Sequence, residues 1–131
     1  MIAAIARWLR ARRRGSGSEP LLEVRVDSLR FVSEQDGAPE RDLKARWLPI
    51  LAAHPEVKRA YLAVAEYEAQ PGNNVVLCIR SDDAPNVHFI EQLREPFAAV
   101  FNRDAHLDVA FVSDAKEKEV TRVCRPFWQA N

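Results

Sequence analysis

Cys78 and Cys124 are the two cysteines of the chain and its most obvious nucleophiles. A catalytic thiol needs a base nearby and an exposed, electropositive setting. Cys78 stands between Leu77 and Ile79 in an apolar run, which predicts a packed thiol instead. Arg125 follows Cys124 and could lower its pKa, but the helical spacing of Cys124 with Val120 and Phe127 again predicts packing. There is no C-x-x-C motif, and a reduced compartment is the simplest expectation.

The histidines His54, His88 and His106 stand 34 and 18 residues apart and form no H-x-H or H-x-x-x-H pair. No metal site and no cofactor are therefore predicted. Glu66 and Glu68 share one side of a strand by alternation and could do paired acid–base work, but a solvated strand end is the simpler expectation. Asp82 and Asp83 read as a loop and helix-start pair. Gly15, Gly17, Gly37 and Gly72 make no phosphate-binding loop. Tyr61 and Tyr67 invite comparison with base-stacking sheets, but the RNP1 pattern is absent.

Charge is uneven although it sums to zero. Arg7, Arg10, Arg12, Arg13 and Arg14 precede any acidic residue, while the rest of the chain has 14 Lys and Arg against 19 Asp and Glu. A mildly acidic body argues against nucleic acid as partner, because neutralising phosphates takes a basic surface. Ile2, Ile5, Trp8 and Leu9 recur at spacings of three and four, which predicts a short amphipathic helix with arginines displaced from its apolar stripe. Such a helix can dock on a partner or a second copy, and residues 2–14 could touch an anionic membrane surface. The run is too short to span a bilayer, and its charges follow the apolar residues, unlike a signal peptide. GSGSEP, residues 15–20, reads as a linker, so residues 1–20 are expected to form a basic arm and residues 21–131 a single domain.

Within that domain Leu22, Val24 and Val26 alternate as a strand, which can extend to Phe31 and Val32. SEQDGAPE, residues 33–40, has loop composition. Leu43, Trp47, Ile50 and Leu51 keep helical spacing, with a kink or a new start expected at Pro49. Residues 57–68 and 75–80 read as two strands joined by a turn over AQPGNN. Asn86 is a candidate cap for a helix whose apolar face holds Val87, Ile90, Leu93, Phe97, Val100 and Phe101. Residues 107–112 form a strand, and Asp114 with Glu117 resembles a capping box opening a last helix. The fold class expected is α+β. The order matches a ferredoxin-like βαββαβ antiparallel sheet with helices on one face, plus the C-terminal helix and the basic N-terminal arm. Tyr61, Ala63, Ala65, Tyr67, Cys78, Ala110 and Val112 would line the opposite face, either open as an interface or covered by the terminal helix or the leader.

Val57, Lys58, Ala60, Tyr61 and Leu62 after H-P-E, the apolar VVLCIR strand, and Pro126, Phe127 and Trp128 near the end together resemble the C-terminal domain of the enhanced serine sensitivity (SseB-like) bacterial family. The resemblance covers roughly residues 40–128. It implies a small bacterial cytoplasmic domain with no established active site, and its link to serine metabolism rests on the family name.

The function expected is that of a non-enzymatic interaction or accessory module. It would bind a protein partner or itself through the sheet face and the arm, with Ile2, Ile5, Trp8, Leu9, Tyr61 and Tyr67 as contact residues. The alternatives are an amino-acid-sensing regulatory domain, by fold analogy, and a small enzyme.

Overall fold

A computed structural model describes residues 4–8, 21–25, 29–67, 70–83, 87–101 and 107–130. In chain order these form β1 (Ala4–Trp8), β2 (Leu21–Arg25), β3 (Leu29–Glu34), α1 (Ala38–Ala52), β4 (Val57–Tyr67), β5 (Gln70–Ser81), α2 (Val87–Val100), β6 (Leu107–Phe111), α3 (Asp114–Thr121) and β7 (Trp128–Gln129). The strands make one sheet in the order β2-β1-β6-β5-β4-β3, with β7 added on β4.

The mixed α+β class is as expected, but the ferredoxin-like order is not what forms. That arrangement splits each βαβ unit around an intervening strand. Here β3 pairs directly with β4, antiparallel, and β5 pairs directly with β6, parallel. The α2 crossover between β5 and β6 returns the chain in the same direction, so the sheet is mixed and not wholly antiparallel.

Helices cover both faces of the sheet, so of the alternatives left open for the second face, cover by the terminal helix is the one that forms. Leu62, Leu77, Ile79, Val109 and Phe111 meet Leu43, Trp47 and Leu51 of α1 and Phe89, Ile90, Leu93 and Phe97 of α2. On the other face Tyr61, Ala63, Ala65, Val76, Cys78, Ala110 and Val112 gather with Leu29, Phe31, Val120 and Cys124. Period-two alternation sends neighbouring residues of β4 and β5 to opposite layers, and each layer has its own cover. Central strands buried on both sides read as continuous apolar runs for this reason.

The helix expected over the leader is also corrected. Ala4–Trp8 is a strand, paired with β2 on one side and β6 on the other, with Ile5 in register with Ala110 and Trp8 with Leu107. Apolar runs this short fit either period. An isolated short helix is marginal in water, whereas a strand laid on β6 satisfies backbone groups along both of its edges. Met1, Ile2, Leu9 and the remaining arginines of the arm lie outside the described residues.

Several local readings shift. α1 opens at Gly37, whose N–H donates to the Glu40 carboxylate at 3.0 Å, and it runs through Pro49 as one element. Glu40 also accepts from Gln35 at 2.8 Å. The turn expected over AQPGNN is tighter, because Tyr67 already pairs with Gln70. Pro71 and Gly72 fall where the β4–β5 register slips, the place in a strand where proline and glycine are tolerated. Val87 is 61% exposed and does not join the buried face of α2. Asn86 lies outside the described residues. α3 is capped by Ser113, whose hydroxyl accepts from the Lys116 N–H at 3.3 Å, and Asp114 is its first helical residue.

Aromatic contacts lock the layers. Trp47 donates its indole N–H to the Leu93 carbonyl at 2.8 Å, tying α1 to α2. Phe127 lies against Trp47 with centroids 6.0 Å apart, and the Lys44 ammonium sits 5.8 Å from the Phe127 ring centre. The tail then runs along the part of β4 that β3 leaves unpaired. Phe127 donates to the Ala60 carbonyl and Ala130 to the Lys58 carbonyl, each at 2.9 Å.

Candidate functional site

The densest polar cluster among the described residues lies where β4, β5 and α3 meet. Arg59 and Tyr61 are two apart on β4 and so share a side. Arg80 of β5 stands opposite Arg59 in the ladder and Cys78 opposite Tyr61. The second sheet face therefore runs from apolar Cys78 and Tyr61 into a rim of two guanidinium groups. α3 crosses this rim and presents Glu117, which is 8% exposed.

Glu117 holds the cluster together. Tyr61 Oη donates to Glu117 Oε2 at 2.6 Å, and Arg59 Nη2 donates to Oε1 at 3.0 Å while Arg59 Nε reaches Oε2. Arg80 Nε faces Oε1 at 3.6 Å. Arg80 also donates to the Val112 carbonyl at 3.3 Å and pairs with Asp114. Burial by itself would raise the Glu117 pKa, but the hydrogen bonds from Arg59 and Tyr61 and the charges of Arg59 and Arg80 outweigh it and hold the carboxyl below its ordinary value. Burial pushes the Tyr61 phenol up, and its bond to Glu117 pushes it further. The hydrogen bond to Glu117 raises the Arg59 guanidinium in turn.

This chemistry favours fastening over turnover. A carboxylate surrounded by three donors is a weak base, and a phenol kept protonated is no nucleophile. Breaking such a buried pair would leave an uncompensated charge, so the cluster clamps α3 onto the sheet.

Both thiols are buried and uncombined. Cys124 Sγ donates to the Leu62 carbonyl at 3.3 Å. Burial first, and the Glu34 charge second, push this thiol up to about 11. Arg125 therefore does not activate it. Burial, with Cys124 nearby, also pushes Cys78 well above an ordinary thiol. Both are packing residues: Cys78 is one through its place in β5, as expected, whereas α3 ends at Thr121, so Cys124 packs from the segment beyond the helix and not through helical spacing with Phe127.

Of the expected contact residues, Tyr61 is corrected in one respect: its ring is 1% exposed beneath α3 and does not present itself on an open face. Ile5 and Trp8 lie on β1 and Tyr67 ends β4, while Ile2 and Leu9 fall outside the described residues. Glu66 pairs with Arg30 across β3 and β4, and Lys58 pairs with Asp82 at 3.3 Å. His54 bridges to Gln92 of α2 at 2.9 Å and to Glu56 at 3.3 Å, with its ring 4.4 Å from Phe89. His106 and Glu68 are outside the described residues. Among the described residues no group of three or more His, Cys, Asp or Glu is placed to hold a metal ion, and no helix is long and apolar enough to cross a membrane.

Sequence reasoning missed Arg59 and Arg80 and gave Glu117 a capping role only. The signal was available. Extending the Tyr61 and Cys78 alternation one step outward reaches both arginines, and a buried face that ends in two cations calls for an anion from the covering helix.

The fold and the cluster define a class: an α+β domain whose mixed sheet is covered on both faces and whose polar residues secure the cover. The sequence profile of the SseB protein C-terminal domain family matches residues 37–130, well over half of the chain, and the chain belongs to that family. No curated protein matches the chain, and no solved structure matches it either. The match begins at the α1 cap and runs through β7, so it takes in both Glu117 and the Phe127–Trp128 tail.

Proposed function

We propose that the chain is a non-enzymatic accessory module that acts by contact with a protein partner. One observation carries this reading: the ionisable groups that come together on the second sheet face, Arg59, Tyr61, Arg80 and Glu117, are paired with one another and hold α3 down. Chemistry invested in clamping supports a binding scaffold more than a catalyst. The family membership fits the same reading.

β3 forms one end of the sheet, and its Arg30, Val32 and Ser33 are exposed. An end strand offers backbone groups for strand addition by a partner. Ile2, Ile5, Trp8, Leu9 and Tyr67 belong to the proposal as further contacts, each open to test by alanine substitution. The setting proposed is the cytoplasm of a bacterium.

The test is affinity capture with the full chain and its Val32→Lys variant as parallel baits, read by mass spectrometry. A protein held by the first and lost by the second supports contact at β3. Equal capture moves the contact to the N-terminal residues. If neither bait holds a protein, and a free amino acid raises the melting temperature, the accessory-module reading gives way to an amino-acid sensor.

A further inference from the structure

We draw no further inference here: the strongest candidate, the outer edge of β3 from Arg30 to Glu34, whose charges would match those of a second copy laid antiparallel about Val32, carries none, because the bulge between Phe31 and Ser33 puts Arg30 in register with Glu66 and Glu34 with Ala63, on opposite faces of the sheet, and nothing in the structure shows what covers that edge.

Discussion

At the scale of single residues, Glu117 matters most because three donors depend on it. Glu117→Gln keeps the shape but removes the charge facing Arg59 and Arg80. The expected loss is about 2 kcal/mol, from leaving two partly buried cations without their anion. The acid limb of the stability curve carries a second signature. The Glu117 pKa is depressed in the folded chain, so its contribution is present above the unfolded carboxyl value and is lost as pH falls through the folded one. Denaturant unfolding between pH 3 and pH 7 should show a shallower acid decline in the variant than in the parent. Equal slopes would mean that Glu117 is not the group responsible.

The thiols give a separate residue-scale prediction. Cys78 and Cys124 should resist a disulfide reagent at pH 8 in the native chain and react fully in denaturant. Rapid labelling of either thiol in native buffer would show that α3 does not stay seated on the second face. For Cys124 burial penalises the thiolate, so native stability should be level below the ordinary thiol range and fall as pH climbs from there to about 11.

At the scale of elements, the tail is the test piece. β7 pairs with β4 over two positions, yet Phe127 reaches Trp47 while its own N–H bonds Ala60. Phe127→Ala should cost about 2 kcal/mol through the lost ring contact and the space it leaves. The midpoint in urea should fall while the slope stays constant, since no new surface opens in the native state. A reduced slope would instead mean that the tail detaches altogether. Trp47→Phe tests the α1–α2 junction in the same way. It leaves the Leu93 carbonyl without its indole donor, at a cost of about 1–3 kcal/mol.

Element type and apolar phase were largely legible in the chain. Leu43, Trp47 and Leu51 announced α1, and the side of β4 carrying Tyr61, Ala63 and Ala65 was correctly grouped with Cys78, Ala110 and Val112. The β4–β5 hairpin was legible from the turn residues between two apolar runs, but the other pairings were not, because alternation says which face a residue takes and not which strand lies beside it. The leader failed for another reason. Ile5 and Trp8 keep a helical spacing of three, and the pairing with β6 that makes the segment a strand is not visible in the local sequence. Glu117 was masked by its helix-start position, where a carboxylate has a sufficient local explanation.

At the scale of the whole molecule, the hairpin of β4 and β5 is the spine. It is joined locally, and its central residues are buried on both faces. Amides of residues 60–63 in β4 and 76–79 in β5 should exchange with solvent only through global unfolding, while those of β7 exchange sooner. Hydrogen exchange read by mass spectrometry would decide the matter, and early exchange in β4 would place the stable centre elsewhere. The helices pack from both sides, so separating the layers exposes two apolar clusters at once, which favours a single cooperative transition.

The two-sided burial of β4 also bears on how the chain can change over generations. A strand with one wet face can absorb polar substitutions at every second position. From Ala60 to Ala63 this strand has no wet face, since Ala60 and Leu62 serve one layer and Tyr61 and Ala63 the other. The alanines have no room to grow and the larger residues leave a void if they shrink. Inherited variation should therefore collect in the exposed positions of α1 and α2, leaving the middle of β4 as the part of the sequence slowest to drift.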